Sequence, residues 1–203
     1  MAANSTALLI LAGPAGVGKS TLCERLVQEV PGFERVVTAT TRHPRPNEVD
    51  GRDYHFLSDR QFDLKVAAGD FLEWAHIHQK QQRSGVLKTS VLDRLPHTSL
   101  IMNIDVQGVR NIRTAAQAIP MLKNKLVTMF VAPDSLDVLR ERMLGRGAIS
   151  EAELQRRMQS AEIEMAERNS FDYIIHSKTK EQDFLALKDF WRQAQNKLRS
   201  GVG

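Results

Sequence analysis

Apolar residues along this chain fall into short continuous runs separated by stretches of helical spacing. Ala7 to Ala12 is the first run, unbroken by a polar side chain and closed by glycine. Such a run predicts a strand buried on both faces of a parallel sheet. Further runs at Leu100 to Ile104, Leu126 to Val131 and Tyr173 to Ile175 predict its neighbours. Between them apolar positions recur at three and four residues, which predicts helices over Lys19 to Val30, Val109 to Ala118, Ser135 to Leu144, Glu151 to Arg168 and about Gln182 to Lys197. Strand and helix in alternation predict an α/β fold, a parallel sheet with helices on both faces.

The middle of the chain breaks this rhythm. From Phe33 to Ile77 the pattern gives short strand-like pieces, the turn-rich RHPRPNEVDGRDY and one helix near Asp59 to Ala68, with Ser58 placed to cap it. That predicts a small β-rich lobe inserted into the α/β core.

Composition narrows the function classes. The chain has 203 residues, 42% hydrophobic, with 28 Lys and Arg against 24 Asp and Glu, a net charge of +4. That size holds one core carrying a small lobe. The basic excess is scattered, which points away from nucleic acid and suits an anionic small molecule. The single cysteine, Cys23, excludes an intrachain disulfide framework and multi-cysteine zinc. The first apolar run is too short for a signal peptide or a membrane span, so a cytoplasmic protein without membrane partners is expected. His55, His76 and His78 have no acidic or cysteine cluster beside them and read as ordinary lobe residues. Cys23 has no partner that would make it a nucleophile.

One stretch carries explicit chemistry. AGPAGVGKST, residues 12 to 21, fits G-x-x-x-x-G-K-S/T between a strand and a helix. Glycines let backbone N–H groups converge on phosphate oxygens, and the helix N-terminus adds favourable charge. Gly13, Pro14, Ala15, Gly16, Val17, Gly18, Lys19, Ser20 and Thr21 are therefore expected to bind ATP. In that arrangement Lys19 reaches the β- and γ-phosphates and the Ser20 hydroxyl is a ligand for Mg²⁺. The loop alone does not name the acceptor.

The stretch TATTRHPRPNEVDGRDYHF gathers Arg42, Arg45, Glu48 and Tyr54. Two guanidinium forks and a phenol suit a phosphate, and an exposed charged hairpin explains the same composition. Together with the phosphate loop, GDFLEWA (69 to 75), NIDVQG (103 to 108) and RMLGRG (142 to 147), this stretch strongly resembles guanylate kinase, over roughly Leu8 to Leu187. The resemblance implies transfer of the γ-phosphoryl of ATP, with Mg²⁺, onto GMP and dGMP, in a monomer or homodimer. It implies core segments at 1–35, 93–138 and 158–203, a GMP lobe at 36–92 and a lid at 139–157. Thr38, Arg42, Arg45, Tyr54, Glu73 and Asp105 would hold GMP, the last two reading the guanine edge. Arg142, Arg146 and Arg157 would close over the ATP phosphates. Read from the sequence alone, Asp105 also fits a helix cap and Glu73 a surface position beside Trp74.

Three departures from the family pattern change what is expected. Where the family carries GNxYGT, this chain has a two-residue insertion, and Ser84 before Gly85 replaces a phosphate-binding tyrosine. Gln82 or Arg83 could supply the lost contact. Asn103 replaces the first aspartate of DIDxQG, leaving an oxygen that reaches Mg²⁺ through water but no charge. Ser177 replaces an asparagine near the adenine, followed by Lys178. Asn47, in place of a glycine, tolerates a left-handed turn. The alternatives these changes keep open are a related kinase with another phosphorylated acceptor, and a weakened guanylate-kinase-like module that binds phosphopeptide or nucleotide.

Overall fold

A computed structural model describes residues 5–77, 82–145 and 149–200. In chain order, its first half runs β1 (Leu8–Ala12), α1 (Lys19–Glu29), β2 (Phe33–Arg35), β3 (Ala39–Thr40), β4 (His55–Phe56), α2 (Asp59–Ala67), β5 (Phe71–His76), β6 (Arg83–Leu87) and α3 (Lys88–Leu92). The second half runs β7 (Ser99–Asn103), α4 (Val106–Ala118), α5 (Pro120–Lys123), β8 (Leu126–Pro133), α6 (Leu136–Leu144), α7 (Glu151–Ala166), β9 (Tyr173–Ser177) and α8 (Lys180–Ser200), with a 3₁₀ turn at Arg168–Ser170 before β9.

The main sheet is parallel, in the order β2-β7-β1-β8-β9. β1 lies at its centre, and its alternation explains why every one of its residues is apolar. Leu9 and Leu11 face one side, packing with Cys23 and Leu26 of α1 and with Phe184, Leu187 and Trp191 of α8. Leu8, Ile10 and Ala12 face the other, against Val106, Val109 and Ile112 of α4. Parallel strands leave all their C-terminal ends at one edge, where open α/β sheets bind ligands. Here that edge presents Gly13 after β1, Arg35 at the end of β2, Asn103 at the end of β7 and Ser177 at the end of β9.

The inserted segment forms a second sheet, in the order β4-β3-β6-β5. β6 runs antiparallel to β3 and β5, while β3 and β4 are parallel. α2 covers this sheet with Phe62, fully buried and stacked on Phe71 at 4.5 Å. Its start is fixed as expected: Ser58 and Gln61 form a reciprocal capping box.

Element ends differ from the pattern where capping decides them. α4 begins at Val106, not Val109, because the Asp105 side chain accepts from the Gly108 amide at 2.7 Å and closes the first turn earlier. α8 begins at Lys180 and is longer than its apolar stripe, with Thr179 accepting from the Gln182 amide. α7 ends at Ala166, and the pattern up to Arg168 includes the 3₁₀ turn. Ser135 caps α6 rather than entering it.

Candidate functional site

The loop after β1 is shaped by one close approach. A β-carbon on Gly13 would stand 2.3 Å from the Val131 carbonyl oxygen of β8, and Gly13 has φ of +132°. Only glycine lets the chain leave β1 that tightly. Val17, 2% exposed, anchors the loop in the core, while Ala15 and Ser20 face solvent. Gly18 is the N-cap of α1 and brings no side chain to its amides, so the first turn presents bare N–H groups, which suit an anion. Lys19 curls over the loop and its ammonium donates to the Gly13 and Pro14 carbonyls. A phosphate placed there competes for that ammonium.

The second recess lies between the lobe and the sheet edge. Thr38, Arg42, Tyr54, Glu73, Ser84, Gly85, Asn103 and Asp105 all line it, and so does Arg35, which the sequence reading missed. Arg45 does not: it is exposed, and its amide donates to Glu48 at 2.7 Å. Arg42 is chelated by Glu48 through two bonds of 2.8 and 2.9 Å, with the Tyr54 ring centroid 5.3 Å from its guanidinium carbon. Glu48 holds Arg42 more firmly protonated than usual, and Arg42 in turn holds the Glu48 carboxyl below the usual carboxylate range. Asn47 has φ of 72°, the left-handed turn expected of it.

Glu73 lines this recess and is 8% exposed, whereas Trp74 beside it is 38% exposed. The surface reading of Glu73 is therefore wrong. Burial pushes its carboxyl up to about 7, the nearby Asp105 charge adds to that, and a hydrogen bond with Asn111 opposes it. Asp105 combines two roles weighed against each other in the sequence: it caps α4 and lines the recess with Glu73. Gly85 lets β6 press against β5 at its bulge; a β-carbon would come within 2.7 Å of the Glu73 carbonyl oxygen.

Arg83 does not replace the missing phenol. It turns to α2, pairs with Asp59 at 3.0 Å and with Asp63, and lies 4.7 Å from the Phe62 ring centroid. Ser84, paired with Thr40 and Ala75, reaches the recess with a hydroxyl only.

Of the arginines expected over the donor, Arg142 donates to the Ser177 hydroxyl and the Lys178 carbonyl, both at 3.2 Å. Ser177 in turn donates to Asp183 at 2.8 Å, and the other Asp183 oxygen accepts from the Lys178 amide at 2.7 Å. Ser177 and Asp183 are both buried. This relay was missed because an aspartate in the first turn of α8 reads as helix-dipole complement. Arg157 is paired with Glu153 at 2.9 Å, along α7. Arg146 lies outside the described residues, as does His78.

Hard oxygen donors at this sheet edge include the Ser20 hydroxyl in the loop and the Asn103 amide oxygen at the end of β7. Among the described residues no group of three or more His, Cys, Asp or Glu could hold a metal ion. A sparse set still fits Mg²⁺, which keeps several waters and takes other oxygens from nucleotide phosphates. Cys23 is buried and its thiol pushed up to about 12 by desolvation, so it is inert. Among the described residues no helix is long and apolar enough to cross a membrane.

Comparison with known proteins agrees with this geometry. The family described as guanylate kinase matches residues 5–194. A guanylate kinase from Corynebacterium jeikeium is 36% identical over 190 residues, covering 93% of this chain and 97% of the relative. One from Corynebacterium efficiens is 43% identical over 169 residues, covering 83% and 85%. Among solved structures, guanylate kinase from Anaplasma phagocytophilum superposes with a TM-score of 0.72 over 95% of this chain and 88% of its own; at 23% identity it supports the fold alone. With a matching family profile across most of its length and relatives above a third identical, the chain belongs to the guanylate kinase family.

Proposed function

We propose that the protein transfers the γ-phosphoryl group of ATP to GMP, and to dGMP, giving ADP and the guanosine diphosphate. The observation that carries the choice of acceptor is the buried Glu73 in the recess, close enough to Asp105 to feel its charge. Guanine donates from adjacent N1–H and 2-amino groups, and two neighbouring carboxyl groups are complementary acceptors. Adenine would point an N1 lone pair at them and leave buried groups unpaired, at about 1–3 kcal/mol each.

The reaction is positioning and charge neutralisation. An oxygen of the GMP phosphate is already anionic and needs no general base. Arg42, with Arg45 swinging in from the surface, offsets acceptor charge. Lys19 and the amides of residues 13 to 21 hold the donor phosphates, and Arg142, Arg146 and Arg157 close over them. Ser20 would hold Mg²⁺ directly and Asn103 through water, and the ion would neutralise charge on the β- and γ-phosphates. Residues 36–92 act as the GMP lobe and 139–157 as the lid, and their closure keeps water from the γ-phosphate.

The test is ADP release from ATP and Mg²⁺ in the presence of GMP, dGMP, AMP or ribose 5-phosphate. GMP and dGMP should support turnover and the others should not. Turnover with another acceptor and none with GMP rejects the proposal.

A further inference from the structure

β2 ends on Arg35, at the same sheet edge as the phosphate loop and Asn103. Its backbone is fixed: Arg35 sits in register with Ile101 of β7, and its carbonyl accepts from Arg94. Arg35 lines the acceptor recess together with Arg42 and Tyr54, and its side chain is 30% exposed.

What sets Arg35 apart is how loosely it is matched. Arg42 is chelated by Glu48 and Arg83 by two aspartates. Among the described residues the carboxylate within 4 Å of Arg35 is Glu24 of α1, at 3.9 Å, which is beyond hydrogen-bond reach. The recess holds two acidic side chains, Glu73 and Asp105, both committed to its guanine end. Asn103, at the end of the neighbouring strand, offers Arg35 no charge. The charge of Arg35 is felt on both sides: by Cys23, next to the phosphate loop, and by Asp53, in the turn that carries Tyr54. A nucleoside monophosphate carries close to two negative charges at neutral pH. Arg42 shares its charge with Glu48, Arg45 stands outside the recess, and Ser84 offers only a hydroxyl.

We propose that Arg35 is a further acceptor-binding residue, a guanidinium that grips the GMP phosphate from the fixed core while Arg42 and Tyr54 approach it from the lobe. This inference rests on the assignment of the recess to GMP. It makes neutral Asn103 and basic Arg35 a pair: an aspartate at position 103 would draw the guanidinium away from the substrate.

The experiment is calorimetric titration of GMP and of guanosine, which has the same base and sugar without the phosphate, into wild-type protein and the variants Arg35→Gln, Arg35→Lys and Glu24→Gln. Arg35→Gln should weaken GMP by about tenfold or more, the worth of a charge-assisted bond, and leave guanosine within about twofold. Arg35→Lys should fall between Gln and wild type, keeping the charge but not the fork. Glu24→Gln should leave the ratio of GMP to guanosine affinity unchanged. Two results overturn the inference alone: an unchanged ratio in Arg35→Gln, equal loss of both ligands included, or a matching loss in Glu24→Gln, which would mean Arg35 acts through its ion pair. Wild-type protein that binds GMP no better than guanosine overturns both this inference and the assignment of the recess.

Discussion

The two halves of the candidate site offer a phosphate different kinds of group. At the donor end the main chain does most of the work: Gly13 fits against Val131, Gly18 opens the first turn of α1, and Lys19 is the one charged side chain in the loop. At the acceptor end the groups are side chains drawn from separate segments, with Arg35 on β2, Arg42 and Tyr54 in the turn after β3, Glu73 on β5 and Asp105 ahead of α4. Backbone donors are held by the fold and need no partner to stay in place. Side-chain charges must be kept in position, and here they are, Arg42 by Glu48 and Asp105 by the Gly108 amide. On the proposed assignment the donor end reads the triphosphate and the acceptor end the base, so each should fail separately.

The largest separation comes from Lys19→Met. It should lower kcat by about a thousandfold through loss of charge stabilisation on the transferring group, while calorimetry should find GMP binding within about twofold of wild type. Glu73→Gln is the mirror image. It should lower kcat/KM for GMP by about a hundredfold, because an amide presents one acceptor and a donor where the base needs acceptors, and leave KM for ATP unchanged.

Acidity divides the two ends next. On the proposed assignment GMP binding needs Glu73 as a carboxylate, and burial pushes that carboxyl up to about 7. Below that value the GMP KM should rise about tenfold per pH unit, with the ATP KM flat over the same range. Stability should move the other way. A carboxyl whose folded value is raised binds its proton more tightly folded than unfolded, so its stabilising contribution is full below about 4.5 and is lost as pH rises through about 7. Thermal melts of wild type and Glu73→Gln from pH 5 to 8 check this: the wild-type curve should lose ground relative to the variant as pH rises. The smallest effect belongs to Ser177→Ala, which removes the link between Arg142 and Asp183. The ATP KM should rise by about fivefold, the value of one hydrogen bond, with GMP binding unaffected.

The same contrast explains what could be read from the sequence. The donor end was legible because its geometry is local; eight residues, Gly13 to Ser20, running from the end of a strand into the first turn of a helix, specify it. The core strands were legible for a related reason, since burial on both faces leaves an unbroken apolar run such as Leu8 to Ala12. Acceptor residues could be identified only through the family's motifs, and where the chain departs from them the reading faltered. Arg83 was offered as a replacement for the lost phenol, yet Asp59 and Asp63 on α2 claim it, a contact across twenty or more residues that no local pattern reveals. Arg35 escaped notice because a lone arginine at the end of a three-residue strand carries no motif. Asp183 escaped because burial, not spacing, marks it. Asp105 shows the converse: cap and site residue are one, and a sequence alone sets those readings against each other.

The central claim is that GMP and ATP lie end to end, guanine on Glu73 and Asp105 and donor phosphates on the loop at Lys19. A crystal structure with adenosine and guanosine joined through a chain of phosphates tests it in one measurement. The account predicts the guanine edge within hydrogen-bond distance of both carboxyl groups and the phosphate chain running past Arg35 and Arg42 to the amides of residues 13 to 21. Guanine seated anywhere else, or a phosphate chain that misses Lys19, would contradict it.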